Sequence, residues 1–264
     1  MKTLALWDNP SELNNDPSIV FQYFPAQKKK TKATVLVLPG GGYQNRLYET
    51  HEGAGYAAFF NSIGMDAFVL QYRILPCHFP LPLIDARRAM RYIRFHAEEF
   101  DICPDKIAII GSSAGGHLAA LTSTYLDEIE GEVEDEIDRL PFLPNATILC
   151  YPVIEMADMT VAHVGSAVNL LGFNRLHSAA AFTPSRIVSE KTPPAFVWHT
   201  AEDDLVDVTN SLRYGEGLHK KNIPFELHIF PHGPHGMGLA KDTHVGQWTG
   251  LLINWLKNIG FFGE

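Results

Sequence analysis

The sequence predicts an α/β protein: one mostly parallel β-sheet with helices on both faces and a small cap insertion. Three observations carry that expectation. Short apolar runs rich in Val, Ile, Leu and Phe alternate along the chain with longer stretches of helical periodicity. Strands separated by helices require right-handed crossovers, and such crossovers cover both faces of a parallel sheet. The 264 residues, 46% of them hydrophobic and 19% charged, suffice for one large core and argue against disorder.

The first predicted strand covers 34–38, β-branched and apolar, and Gly40-Gly41-Gly42 stops it. Helical periodicity over 50–63 is followed by a strand over 67–72. The next helix, 82–99, carries Ile84, Arg87, Arg88, Arg91, Ile93 and Phe95, a mixed pattern that leaves one apolar face. Strand 106–110 leads into an Ala-rich helix over 114–127. The run 127–138 (DEIEGEVEDEID) is acidic and is expected to be a solvated excursion. A strand over 146–151 precedes 156–192, which holds no clear strand and is expected to lie over one end of the sheet as a cap. Strands over 195–199 and 225–230, with helices over 209–221 and 245–258, complete the alternation. No internal repeat or low-complexity linker interrupts it. One domain over 1–264 is therefore expected, with the cap at about 156–192.

Composition excludes several function classes. With 21 Lys and Arg against 30 Asp and Glu, the net charge of −9 argues against a nucleic-acid partner, because a phosphate backbone requires clustered cations. The only basic run, Lys28-Lys29-Lys30 with Lys32, reads as a solvated turn before the first strand. Cys77, Cys103 and Cys150 have no Cys-x-x-Cys spacing and read as buried free thiols rather than a disulfide framework or zinc ribbon. The N-terminal MKTLALWDNPSELNND has neither the apolar core nor the small-residue cleavage site of an export signal. No apolar run approaches the ~20 residues needed to span a bilayer. A soluble, cytoplasmic protein with no membrane partner is expected.

Chemistry concentrates at Gly111-Ser112-Ser113-Ala114-Gly115, a Gly-x-Ser-x-Gly match between a predicted strand and a predicted helix. A nucleophile on such a turn needs minimal side chains two residues before and after it, where the backbone crowds. Ser113 is the candidate nucleophile, Ser112 the variable position, and the Ala114 N–H a donor at the helix start. A serine also needs a base and an acid that orients the base, in the chain order serine, acid, histidine. Acid candidates after strand 195–199 are Glu202, Asp203, Asp204 and Asp207. His235, in the loop Phe230-Pro-His-Gly-Pro-His-Gly236, is the candidate base, with His232 as its competitor. His228 lies inside a strand and reads as structural, and His117 at most backs the pocket from the helix after Ser113. Pro39-Gly40-Gly41-Gly42-Tyr43 lets the backbone approach a substrate and aim the Gly41 and Gly42 N–H groups at an oxyanion. A phosphate cradle fits less well, since neither the dinucleotide glycine spacing nor the P-loop Lys-Ser/Thr ending is present. His228, His232 and His235 are closely spaced but lack a metal-ligand motif such as His-Glu-x-x-His.

Together these residues resemble the α/β-hydrolase esterases, specifically the acetyl esterases that include xylan and xylo-oligosaccharide deacetylases. The resemblance runs from Val35 to Trp255. It includes Leu38-Pro-Gly-Gly-Gly-Tyr43, Tyr72-Arg73, Asp85, Gly111-Ser-Ser-Ala-Gly-Gly-His117 and Tyr151-Pro152. It continues with His163-Val-Gly-Ser166, Asn169-Leu-Leu-Gly172, Thr192-Pro-Pro-Ala-Phe-Val-Trp-His-Thr200, Phe230-Pro231 and His235-Gly236. It implies the α/β-hydrolase fold. Within it the family's Asp-x-x-Val, matched by Asp203-Asp-Leu-Val206, selects Asp203 as the acid, and Gly236 after the histidine selects His235 as the base. Pro39 departs from the His-Gly-Gly-Gly of hormone-sensitive-lipase-like relatives, and Asp207 stands where relatives often have proline. The resemblance also implies that Arg73 and Asp85 pair under the proline-rich loop.

The expected activity is a serine carboxylesterase that needs no metal or organic cofactor. The expected substrate is a small ester, a short acyl group such as acetyl on a polar alcohol such as a xylo-oligosaccharide. Asp158, His163, Asn169, Asn174, Arg175 and His177 interleave with apolar residues in the cap, unlike the broad apolar lid of an interfacial lipase. Tyr43, Tyr48 and Trp198 are candidates for aromatic surface against sugar rings. A general short-chain or feruloyl carboxylesterase stays open as the alternative, followed by a metal-dependent hydrolase and a non-catalytic binding module. Esterases of this fold often form dimers, so a homodimer is compatible with the reading.

Overall fold

In a parallel sheet covered on both faces, no residue of a central strand can face water, and the apolar runs obey that constraint. The computed structural model describes residues 1–7, 11, 13–133 and 135–262. Its strands are β1 Lys2–Leu4, β2 Val20–Phe24, β3 Thr34–Leu38, β4 Asp66–Gln71, β5 Ile107–Ser112, β6 Ala146–Cys150, β7 Ala195–Thr200 and β8 Phe225–Phe230. They form one eight-stranded sheet in the order β1-β2-β4-β3-β5-β6-β7-β8. Every residue of β3, β4, β5, β6 and β7 is buried. From β4 to β8 all neighbours are parallel, while β1 and β2 join antiparallel at one edge. Those two N-terminal strands are absent from the sequence-based reading. β1 has only three residues and β2 is mostly half-buried, so neither shows a strong apolar pattern.

The helices are α1 Ala54–Ser62, α2 Leu81–Phe95, α3 Ser113–Thr124, α4 Val164–Leu171, α5 Thr209–Lys220 and α6 Trp248–Asn258. Residues of α2, α3 and α5 pack into one core, and α1 and α6 into the core on the opposite face. Segment 156–192 carries α4 and 3-10 turns at Phe173–Phe182 and Pro184–Arg186. No helix among the described residues is long and apolar enough to cross a membrane.

Two readings of charged segments need correction. The acidic run is solvated only in part: Asp127, Glu128, Glu130 and Glu136 are exposed, but α2 buries three arginines that Glu132, Asp135 and Asp138 neutralise. Glu132 bridges Arg87 at 2.7 Å and Arg91 at 2.6 Å, while Arg88 meets Asp135 at 2.6 Å and Asp138 at 3.0 Å. Aromatic faces complete the enclosure, with Phe142 4.0 Å from the Arg87 guanidinium and Trp7 5.6 Å from that of Arg88. Glu134 lies outside the described residues. In the basic run, Lys29 is not simply solvated: it donates to the Phe100 and Asp101 carbonyls and pairs with the buried Asp66 at 2.8 Å. Of the cysteines only Cys150 is buried; Cys77 and Cys103 are partly exposed, and none is in a disulfide.

Arg73, just past β4, does pair with Asp85 on α2. The guanidinium reaches Asp85 at 2.6 Å through Nη2 and at 2.9 Å through Nε, and the Arg73 amide donates to the same carboxylate at 2.7 Å. Its remaining donors meet the Leu13 carbonyl and Asn14 Oδ1. Both charges are almost wholly buried. Removing one partner strands the other in the core, whereas replacing both with apolar groups does not. Arg73→Ala is therefore expected to cost about 3–5 kcal/mol of stability. The double variant Arg73→Leu/Asp85→Leu should lose less than either single leucine variant. Urea midpoints check both statements, and additive losses would contradict them.

Candidate active site

The turn from β5 into α3 places Ser113 at φ 52°, a left-handed conformation that residues other than glycine rarely adopt. It survives because the surroundings allow no other path. A side chain at Gly111 would overlap the Gly115 carbonyl, and one at Gly115 would overlap the carbonyls of Leu38 and Pro39. Ser112 points away from the cavity, into the core, where the Tyr56 hydroxyl lies 2.9 Å from its Oγ. Ser113 is turned the other way, toward the carboxyl edge of the sheet.

Three loops bring the remaining chemistry to that edge. His235, after β8, sets Nε2 2.9 Å from Ser113 Oγ and Nδ1 2.6 Å from Asp203 Oδ2. Asp203, after β7, takes the Leu205 and Val206 amides on Oδ1 at 3.0 and 2.9 Å. His199, buried on β7, sets Nε2 3.1 Å from Asp203 Oδ2 and 3.0 Å from the Val206 carbonyl. Two acceptors at one nitrogen assign its proton to Nε2, so the Ser211 hydroxyl, 2.8 Å from Nδ1, donates there. Burial alone would raise the Asp203 carboxyl. Hydrogen bonds from His199, His235 and the Val206 amide, with the charge of His235, outweigh burial and hold it well below the usual carboxylate range.

The other candidates go elsewhere. Glu202 and His232 are exposed and meet each other at 2.7 Å, Asp204 is exposed, and Asp207 accepts the Thr209 amide at the start of α5. His228 pairs with Glu226 within β8. His117 is buried between the Tyr43 hydroxyl, at 2.8 Å, and the Phe182 carbonyl, at 2.9 Å. Burial pushes its imidazole down to about 4, against the hydrogen bond to Phe182, so it is neutral. No group of three or more His, Cys, Asp or Glu side chains among the described residues is arranged to hold a metal.

The glycine loop after β3 supplies the second half of the site. Gly41 and Gly42 have φ 113° and 64°, which turns successive amides to one side. The Gly41 carbonyl accepts the Gln44 and Asn45 amides, and the Gly42 carbonyl accepts Asn169 Nδ2 from α4 at 2.8 Å. Among the described residues, the Gly41 and Gly42 amides have no acceptor. The Ala114 amide lies in the first turn of α3, where amides have no intrahelical partner. Glu52 anchors this loop: Oε2 accepts the Gly40 amide at 2.9 Å and Oε1 accepts the Tyr151 hydroxyl at 2.6 Å. Tyr151 in turn accepts the Gly238 amide at 2.9 Å, next to the His235 loop. Glu52 carries no local motif in the sequence, and His199 stands in the Thr192–Thr200 motif with no role attached to it; the part each plays is found only through its partners.

Ser113 and His235 open into a cavity of about 380 Å³, walled by Gly41 and Gly42 and, from segment 156–192, by His163, Gly165 and Asn169. Tyr43 and Trp198, expected against sugar rings, do not face it. Tyr43 is 1% exposed and turned inward onto His117, and Trp198 is fully buried on β7, stacked on Trp248 with ring centroids 5.2 Å apart. A neighbouring cavity of about 600 Å³ shares His51 and Gly236 with the first and has apolar walls from Ala58, Phe59 and Leu239.

Comparison with known proteins agrees with this architecture. Residues 22–218 match the BD-FAE family. The chain is similar to the acetyl ester-xyloside bifunctional hydrolase of Caldicellulosiruptor lactoaceticus, with 40% identity and a TM-score of 0.89 over 99% of this chain and 97% of that one. It is 33% identical over 231 residues to an acetylxylan esterase of Xylanibacter ruminicola, covering 85% of this chain and 45% of that protein. It is 37% identical over 222 residues to endo-1,4-beta-xylanase B of Butyrivibrio fibrisolvens, covering 82% of this chain and 34% of that protein. The chain thus spans between a third and a half of the length of these two curated relatives. With the parallel sheet, the serine turn and these similarities together, the chain has the α/β-hydrolase fold and belongs to the BD-FAE family.

Proposed function

We propose that this chain is a serine carboxylic-ester hydrolase that removes acetyl groups from a polar alcohol, an acetylated xylo-oligosaccharide being the substrate class. The observation that carries the reading is the continuous hydrogen-bonded chain Ser113–His235–Asp203 beside the amides of Gly41 and Gly42, which have no acceptor among the described residues. In this mechanism Ser113 Oγ attacks the ester carbonyl carbon while His235 Nε2 takes its proton. Asp203 holds the Nδ1 proton in place and stabilises the imidazolium. The Gly41, Gly42 and Ala114 amides meet the negative oxygen of the tetrahedral intermediate. His235 then protonates the departing alcohol oxygen. Water, deprotonated by the same imidazole, attacks the acyl-enzyme; the bond from the acyl carbon to Ser113 Oγ breaks, acetate leaves, and the imidazolium returns its proton to Ser113 Oγ.

The acetyl-sugar assignment is supported by relatives named as an acetylxylan esterase and an acetyl ester-xyloside hydrolase, and by polar cap residues at the cavity. A second reading, a general short-chain or feruloyl carboxylesterase, draws support from the larger apolar-walled cavity next door.

Ser113→Ala is expected to lower kcat by about 10⁴-fold or more and to abolish labelling by a serine-directed phosphonate, with its thermal midpoint close to wild type. Turnover that survives in Ser113→Ala but disappears on chelation would assign the reaction to a metal instead. The pH profile follows from the depressed Asp203. A carboxylate lowered in the folded state contributes stability above its unfolded pKa of about 3.9 and loses it only as the pH falls below that value. Across the histidine range Asp203 stays ionised, so kcat/KM should fall on the acid side by about tenfold per pH unit, one proton's worth, with the fold intact by circular dichroism. A flat or two-proton limb there would contradict the mechanism. Acyl preference separates the two readings. Aryl acetate should exceed butyrate and octanoate, because methylenes that find no space cost about 1–3 kcal/mol. Product analysis should find acetate released from acetylated xylo-oligosaccharides, and faster turnover of octanoate would favour the second reading.

A further inference from the structure

The motif His163-Val-Gly-Ser166 has no part in the hydrolytic chain, yet it sits at the cavity. His163 is the residue before α4 and caps it: the Ser166 amide donates to Nδ1 at 3.2 Å, and Ser166 Oγ lies 2.8 Å from the same nitrogen. An amide can only donate, so Nδ1 presents its lone pair and the Ser166 hydroxyl donates to it as well. The ring's single proton is then on Nε2. Burial and the nearby charge of His235 both disfavour a second proton, against the weaker pull of Asp203. Ser166 is fully buried, which fixes the ring that it anchors.

The Nε2 edge has no partner among the described residues, while the ring lines the cavity that holds Ser113 and His235. The other cap residues at the cavity are differently placed. Asn169 is committed to the Gly42 carbonyl, and Gly165 has no side chain. An acetyl group cannot use this donor: its carbonyl oxygen is met by backbone amides, and its methyl accepts nothing.

We propose that His163, through Nε2–H, is a specificity-determining donor for the alcohol half of the substrate, binding a hydroxyl or ring oxygen of a polyhydroxylated leaving group such as a pyranoside. This deepens the ester-hydrolase reading and rests on it. A site built to hydrogen-bond a substrate oxygen discriminates strongly against an analogue that lacks one, because the donor is then left unpaired.

The test compares acetylated xylo-oligosaccharide with 4-nitrophenyl acetate in wild type and His163→Asn. Asparagine is a good helix cap and keeps an acceptor for Ser166, but its shorter side chain does not extend to the Nε2 position. The ratio of kcat/KM for the sugar ester to that for the aryl ester is expected to fall by about tenfold or more, mainly through KM for the sugar. An unchanged ratio, whatever the absolute activity, would mean a structural cap only and would overturn the proposal. Nitrogen NMR of the wild-type imidazole supplies a readout independent of any variant's folding: the proton is expected on Nε2, and a proton on Nδ1 overturns the proposal. Wild-type protein that cleaves the aryl ester but no sugar ester removes the acetyl-sugar reading and this role together. Wild-type protein that cleaves neither removes the hydrolase reading itself.

Discussion

The candidate active edge depends on one close approach of backbones, where β5 turns into α3 against the end of β3. Gly115 lies so near the Leu38 and Pro39 carbonyls that no side chain fits between them. Leu38 pairs with Gly111 in the parallel ladder, so the register that packs the sheet also brings the glycine loop beside the serine turn. A left-handed non-glycine residue costs on the order of 1–3 kcal/mol and persists only where its surroundings over-determine it. Here β3 and β6 flank β5 on both sides, and the Val153 amide, from beyond β6, donates to the Ser113 carbonyl. The strain at Ser113 is thus held by the most deeply buried part of the sheet.

A buried carboxylate ties the loops of this edge together. Glu52 receives the Gly40 amide and the Tyr151 hydroxyl, and Tyr151 receives the Gly238 amide. Segments following β3, β6 and β8 are thereby joined through two side chains. Asp203 has a similar density of contacts, with two amides on one oxygen and two imidazoles on the other. Networks of this kind are stabilising only when every member is satisfied, which is why such sites tolerate little change in their supporting residues.

What was legible in the sequence was what local pattern can encode. Central strands announce themselves through unbroken apolar runs, and the serine turn through its flanking glycines, because both constraints act within a few residues. Reading Asp203 over Asp204, and His235 over His232, required the family resemblance, since spacing alone left both pairs open. The antiparallel strands β1 and β2 escaped because partial exposure dilutes their pattern, and α4 because eight residues give too short a period. Glu52 lies 99 residues from Tyr151, and no window of sequence reveals such a partner. Tyr43 and Trp198 failed as sugar platforms for a related reason: an aromatic residue next to a glycine loop or within a strand can point either way, and both point into the core.

The arginine cluster of α2 has a consequence for how the molecule opens. Arg87, Arg88 and Arg91 are buried, and their counter-charges come from a stretch some 40 residues further along the chain. If that stretch detached while α2 stayed docked, guanidinium groups would be left in the core without partners, a state costing several kcal/mol for each broken pair. Fraying of the acidic run by itself is therefore suppressed. The helix, the acidic loop and the Trp7 and Phe142 rings beside the guanidiniums are expected to open as one cooperative unit, with amide exchange across them coupled rather than graded from the surface inward.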